Sequence, residues 1–478
     1  MKKKLLATLL AGVLMLFALS LVACGNNGDG DDPAPAADTA DTADTADPAP
    51  AGDDEICWYT IEDISDMPVT TIRYWFYETP ERIALGERQI EEFMDMFPNI
   101  IVEGSIAPDN TDNEMLMPFI MSRTNSNIHQ SVNTEDLWYI DHDLLVSLNR
   151  FHDFEEQFAR FNPALNYTWV DGYVYSISWY HTPHVMFYNR AMMEAVGWDP
   201  NSPPETYSEF FDFAERVTDP ANNVFALAPS LGEEWWRWQF EVYSYYIAAG
   251  GNHQTVARDG QTVVFNNEAG LQSLQFFETV FNNGWGLREI QDNAFERGLA
   301  AAAIGRTDMI RNIINISPPD FQYVMGPILI PDGVTRGAYD TYSFVRNFTI
   351  IDELGIDEGP ERSQVRRASW ELMKFLLSYE ELAADFRATS DFPPIVGFYD
   401  HPMFAPIFEE KGAHGEALRE LAVRGQNSII FDLYTTLSCE IQDPLTQSFL
   451  RVVWGDMTAV EALDWAEEEA NRILREGR

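Results

Sequence analysis

From residue 69 onward the sequence keeps returning to one unit: a short run of β-branched and aromatic residues, a polar joint, then an amphipathic helix. That unit restricts the chain to an α/β fold. The first copy is the clearest. Val69-Thr70-Thr71-Ile72-Arg73-Tyr74-Trp75-Phe76 reads as a strand, and Thr79-Pro80 supplies an N-cap followed by proline at the first helical position. Ile83, Ile90, Phe93, Met94 and Phe97 then share one helical face, Pro98-Asn99 ends it, and Ile100-Ile101-Val102 opens the next strand. Strands joined through helices run parallel, and ligands bind beyond their carboxyl ends, which points Tyr77, Glu78 and Thr79 at a site. Four further blocks follow. Asp171–Tyr180 and Val185–Arg190 precede Pro203–Phe210, where Thr206 and Glu209 form a capping box ahead of the apolar face Phe210, Phe213, Ala214, Val217. Ala248–Asn252 and Thr262–Asn267 precede a helix carrying Leu271, Leu274, Phe277 and Phe281; Ala294–Gly305 precedes Pro327–Pro331; and Ala368–Ser378 precedes Phe392–Ile395.

The beginning of the chain obeys other rules. Lys2-Lys3-Lys4 leads into Leu5–Leu21, which contains no charge and is at the short end for a membrane span. A basic start, a short apolar segment and small residues at its close describe an export signal, residues 1–23. Leu21-Val22-Ala23-Cys24-Gly25 resembles the lipobox of bacterial lipoproteins, in which the cysteine is acylated and becomes the first mature residue. The resemblance implies lipidation of Cys24 and an extracytoplasmic, membrane-anchored protein. Residues 25–55 hold almost no apolar side chain, and Asp38-Thr39-Ala40 recurs twice more by Ala46 between Pro-Ala-Pro segments. Such a stretch buries too little to offset the entropy of ordering, so an extended acidic tether is expected from Cys24 to residue 67. The Asp repeats lack a turn to converge on one ion, which argues against calcium.

The body that remains, about 420 residues, is too long for one core and suits two lobes. Three lysines precede Cys24, and residues 25–55 carry ten acidic and no basic residues, so the body holds −38 of the chain's net −45. This excludes nucleic acid and broad contact with anionic lipid, and disfavours anionic substrates such as sugar phosphates. Beside Cys24 only Cys57 and Cys439 occur, which gives neither a disulfide framework nor zinc spacing, and leaves a single bridge between them open. His181 and His184 flank Pro183 in an extended segment, a poor metal pair. No metal or cofactor is expected. Enzyme motifs are missing: there is no Gly-x-Ser-x-Gly, His-Glu-x-x-His or phosphate-binding Gly-x-x-x-x-Gly-Lys.

Taken in order, the blocks resemble the extracellular solute-binding proteins of carbohydrate ABC transporters, to which maltose-binding protein belongs. That family shows a Tyr-Asn-Lys after a Gly-x-x-Tyr segment, Pro-x-Thr-Trp-x-Glu at a helix start, Gly-Gly before a hairpin, Phe-x-x-Gly-x-x-Ala-Met, and a Phe-Leu-x-Ser helix before proline. Here Arg190 stands for the Lys, Tyr207 for the Trp and Ala303 for the Met. Ser178-Trp179-Tyr180 replaces smaller residues and suggests extra stacking surface. The resemblance, over about residues 69–475, implies a type II periplasmic-binding-protein fold: two α/β lobes joined by a hinge, with the ligand cleft between them. Residues 68–180 and 328–390 would form lobe 1, and 181–327 and 391–478 lobe 2, with crossings near Trp179–Val185, Val324–Pro331 and Thr389–Ile395. It further implies a monomeric receptor, not an enzyme, that hands a sugar to a membrane permease. The rivals are a lipid-anchored glycan hydrolase, which needs only two carboxylates across a cleft, and a surface glycan-binding adhesin.

Sugars pack their C–H faces on aromatic rings and pair their hydroxyls with carboxylates and amides. Loops after strands therefore nominate Tyr77, Glu78, Asn133, Glu135, Asp136, Trp179, Tyr180, Glu233, Trp235, Trp236, Arg306, Tyr339, Asp340 and Tyr342. Trp235, Trp236 and Trp238 cannot all face one way on a helix, so at least one belongs to the core. Glu135 and Asp136 also suit a helix cap. Trp75, Phe76, Trp370, Trp454 and Trp465 read as packing. Cys24→Ser is expected to abolish metabolic labelling of the chain with a fatty-acid probe, and equal labelling of mutant and parent would sink the lipobox reading.

Overall fold

A computed structural model describes residues 59–477 apart from 77–78, 108–112, 167–168, 171, 252–253, 353–358 and 432–434. Twelve strands occur among them: β1 Thr70–Phe76, β2 Ile100–Ile106, β3 Ile128–Ser131, β4 Trp169–Val170, β5 Tyr173–Val174, β6 Ser176–Pro183, β7 Val185–Asn189, β8 Phe225–Leu227, β9 Ala300–Gly305, β10 Tyr323–Gly326, β11 Thr341–Ile350 and β12 Ser428–Ile429. Two sheets carry the architecture. The first runs β12-β11-β3-β1-β2 with β6 also on β11, and the second runs β10-β7-β9-β8. Cys24, Tyr77, Glu78 and Cys57 lie outside the described residues.

The first βα unit forms as its residues dictate. Thr79 Oγ1 accepts from the Arg82 amide, Pro80 opens the helix Pro80–Met96, and Ile90 and Phe93 are buried beneath it. Thr206 and Glu209 close the capping box of Tyr207–Val217, whose Phe210, Phe213 and Ala214 are fully buried. The parallel-sheet expectation needs correction. β1 pairs parallel with β2 and β3, but β6 and β3 pair antiparallel with β11. The physical reason is that β6 and β11 are not βα units. They are the segments by which the chain leaves the first sheet and returns to it.

The passage between sheets is abrupt. β6 ends at Pro183 in the first sheet, β7 begins at Val185 in the second, and only His184 intervenes. Phe392 lies beside this crossing, and the backbones of His181 and Phe392 bond in both directions. The helices Ser438–Trp454 and Ala459–Glu476 pack on each other and on Glu268–Asn282 beside the second sheet.

Two further expectations change. The tether expected to reach residue 67 ends earlier, since Tyr59, Ile64 and Met67 are buried in the first core. Tyr59 packs on Phe151 at 4.8 Å, and Asn99 donates to the carbonyls of Ile64 and Met67. Three apolar residues spaced along an acidic stretch are enough to dock it, although they set up no period. Trp454 is 46% exposed rather than packed, because it is the last residue of its helix before the left-handed Gly455. Trp465 is half-buried beneath the Arg451 guanidinium.

Trp370 is core. It has no exposed surface, lies parallel to Phe151 at 4.9 Å, and donates from Nε1 to Asp153 at 2.7 Å. Trp370→Ala is expected to cost about 3–5 kcal/mol of stability, measured by urea unfolding, since it leaves a cavity and takes one hydrogen bond from the Asp153 carboxylate, which keeps its ion pair with Lys374.

Candidate functional site

Three chain segments meet at one edge of the second sheet, and the sheet topology makes them meet. β8 and β9 run parallel, so the loops leaving their carboxyl ends emerge together. β7 is antiparallel to β9 and pairs Val185 with Gly305, which sets His184 beside Arg306. Between these segments lies a cavity of about 400 Å³, within the rough 300–1,000 Å³ range of small-solute sites. Trp236, Phe240, Arg306, Asp308, Glu241 and His184 are among its walls.

The aromatic wall comes from one short helical stretch. Trp236 precedes the helix Arg237–Glu241, and Phe240 follows four residues later, so the two share a face. Their rings meet edge to face at 5.2 Å. The Arg237 guanidinium lies 4.1 Å from the Trp236 ring and the Arg306 guanidinium 4.3 Å from Phe240. Arg237 also binds Glu234 at 2.9 Å and the Ser230 hydroxyl, while Arg306 forms a two-point pair with Asp308 at 3.2 and 2.5 Å.

Charge in this wall is strongly perturbed. Burial pushes the Glu241 carboxyl up to about 8, only partly offset by the Ser230 amide and by the charges of Arg237 and Arg306. Burial also raises Glu296. Asp308 goes the other way: burial acts to raise it, but the charge and hydrogen bonds of Arg306 prevail and hold it at about 2. His184 is pushed down to about 3 by burial and by Arg306, so it is neutral.

Aromatic surface continues out of this cavity along the crossing strands. Phe240 is 5.4 Å from Phe344, Phe344 is 6.5 Å from Tyr180, Tyr180 is 5.0 Å from Trp179, and Trp179 stacks on Phe348 at 4.8 Å. Trp236, Phe240, Phe344 and Tyr180 all keep some exposure. The ribbon thus runs from the second sheet to the first along β6 and β11.

The nominated residues fall into distinct places. Trp236 and Arg306 line the cavity, and Tyr180 lies on the ribbon. Trp179 is a correction. It is only 6% exposed, with Phe348 stacked on it and the Arg82 guanidinium 4.3 Å from its centroid, so its ring is already covered. Tyr342 is fully buried behind the cavity, stacked on His184, with its hydroxyl donating to Gln239. Glu233 points to solvent, and Trp235 is half-buried outside the cavity walls. Trp238 is the buried member of the tryptophan cluster. Tyr339 packs on the second core, and Asp340 accepts from Asn427. Asn133, Glu135 and Asp136 belong to the helix Asn133–Asp141; Glu135 reaches back to the Val132 amide, and buried Asp136 accepts from Asn347. Reading the sequence missed Phe240, Glu241, Asp308 and His184. The signal for Phe240 was its i+4 spacing from Trp236, and for Asp308 its nearness to Arg306.

Set against known proteins, the chain matches the family model "Bacterial extracellular solute-binding protein" over residues 90–410. The chain belongs to that family, whose members are extracytoplasmic binding proteins rather than enzymes. No curated protein matches it by sequence. Among solved structures it is similar to the cyclic alpha-maltosyl-1,6-maltose binding protein of Arthrobacter globiformis, at 17% identity and TM-score 0.73, covering 86% of this chain and 100% of that one. It is also similar to the sugar-binding protein MalE of Xanthomonas citri, at 18% identity and TM-score 0.67, covering 86% and 98%. A third is a cyclo/maltodextrin-binding protein complexed with maltotetraose, at 16% identity and TM-score 0.65, covering 86% and 97%. The architecture is therefore the type II periplasmic-binding-protein fold, two α/β lobes with a cleft between them.

Glu241 gives the site a pH signature. Its folded pKa of about 8 lies above the ordinary value of 4.5, so the folded state holds the extra proton between those values. Its contribution to stability is present below about pH 4.5 and is lost as pH rises toward 8. Melting midpoints of the parent are expected to fall relative to Glu241→Gln across that window. Parallel pH profiles for the two proteins would refute the assignment.

Proposed function

We propose that this protein is a lipid-anchored extracytoplasmic receptor that binds a sugar or oligosaccharide between its two lobes and delivers it to an ABC transporter permease. In this reading Cys24 carries the anchor, the protein acts as a monomer, and residues 68–180 with 328–390 form one lobe and 181–327 with 391–478 the other. The observation that carries it is the partly exposed aromatic ribbon Trp236-Phe240-Phe344-Tyr180, which leads out of a cavity walled by paired charges. Rings of this kind suit the C–H faces of successive pyranoses, and the surrounding carboxylates and guanidinia suit their hydroxyls. The ligands of the similar structures, a cyclic maltosyl-maltose and maltotetraose, support the same class.

Binding draws the lobes together because solute contacts both in the closed state and only one in the open state. The segment around His184 is short enough to act as the pivot. Asp391 is suited to a latch beside it, since it accepts from Arg82 at 2.9 Å and from the Thr307 hydroxyl at 3.1 Å.

Titration calorimetry against a panel of linear and cyclic glucose oligosaccharides tests the reading. Trp236→Ala is expected to lose about 2 kcal/mol of binding, roughly 30-fold in affinity, with little change in melting midpoint, because a ring at an open wall contributes little to the core. Trp235→Ala serves as the neighbouring control and is expected to keep affinity. Loss of stability with unchanged affinity in Trp236→Ala would remove the ribbon from the site.

A further inference from the structure

The cavity holds more acid than its own cations neutralise. Glu241, Asp292, Glu296 and Asp308 line it, against only Arg237 and Arg306. Both cations are already engaged, Arg306 by Asp308 and Arg237 by Glu234 on the adjoining loop. Glu241 and Glu296 are 6% and 3% exposed, and among the described residues neither has an ion-pair partner. A buried carboxylate without a cation is costly unless it stays protonated or a cation arrives. The cavity is open, so the cation can come with the solute.

A second observation points to a ligand donor. His184 Nδ1 lies 3.1 Å from the Tyr342 carbonyl, which can only accept, so Nδ1 carries the hydrogen and Nε2 offers a lone pair. His184 is 2% exposed, lines the cavity, and its Nε2 has no hydrogen-bond partner. Only an N–H or O–H group can satisfy it. An ammonium brings three donors and no acceptor, which matches an acceptor-rich wall better than a hydroxyl does.

We propose that the solute carries a protonated amine, an amino sugar or an oligosaccharide containing one, with Glu241 as the counter-ion of its ammonium in this cavity and His184 Nε2 as an acceptor beside it. The aromatic ribbon then holds the sugar rings, and the cavity selects for charge. This inference rests on the sugar reading, yet its test separates the two. Calorimetry on the full chain should compare glucosamine oligosaccharides of two and three residues with their N-acetylated and their glucose counterparts, and with putrescine as an amine that is not a sugar.

The amine-bearing sugar is expected to bind about tenfold tighter than either neutral counterpart. Glu241→Gln should bring that ratio close to one. If Glu241→Gln fails to fold, as its melting profile would reveal, Glu296→Gln provides the second variant and should lower the same ratio. A neutral sugar binding as tightly as the amine overturns the inference and leaves the sugar receptor standing. Putrescine binding without any sugar keeps the charge inference and overturns the sugar reading. Binding of none of them overturns both.

Discussion

The antiparallel pairing of β11 with β6 is the constraint on which the rest depends. β6 carries the chain out of the first sheet and β11 brings it back, and their ladder from Ser343–Pro183 to Thr349–Ser176 locks the two passages side by side. The register is continuous except at one bulge, where Arg346 pairs with Tyr180, Asn347 pairs with Ser178 and Trp179 is left between them. Phe344 and Tyr180 stand on the ribbon while Val345 is buried. The same ladder puts Tyr342 under His184, and so fixes the back of the cavity.

Arg82 is the second organising group. It is 8% exposed, pairs with Asp385 at 3.1 Å and Asp391 at 2.9 Å, and lies over Trp179 and Tyr180. A planar guanidinium can do all of this at once, binding carboxylates at its edge and rings at its face. Its burial explains why Trp179, which looked like a stacking residue, is a structural one. Asp385 shows the cost of the arrangement: burial pushes it up to about 6 despite the nearby arginine, with Asp391 and Glu381 adding to the rise. A cluster so poised between attraction and desolvation suits a junction that must shift when solute binds.

The great negative charge of the chain takes on two meanings. On the surface some acidic residues sit in exposed pairs such as Arg387 with Glu410, each worth little, but 76 acidic residues outnumber 31 Lys and Arg, so pairing leaves the excess in place. In the cavity, where Glu241 and Glu296 are buried, the same residue type becomes a demand for positive charge. Composition alone could argue only against anionic partners. Placement converts that exclusion into a preference.

Local chemistry determined the elements. The Thr79-Pro80 cap, the Thr206–Glu209 box and the Phe210, Phe213, Ala214 face act through residues a turn or less apart, so they were legible in order along the chain. The two-lobed class was legible for the same reason, as several such blocks in sequence. The site was only partly so. Trp236 and Arg306 were found because loops after strands collect function, but Tyr342, Trp179 and Asp340 satisfied the same rule and are engaged elsewhere. Which face a side chain shows depends on neighbours that are 97 to 169 residues away, such as Phe348 and Arg82 for Trp179 or Gln239 for Tyr342. By itself, the sequence determined the strands, the helices, their caps and the kind of protein they build. Only the tertiary structure decided which aromatic rings remain open and which carboxylates are left without a cation, because both are settled by burial between segments remote in sequence.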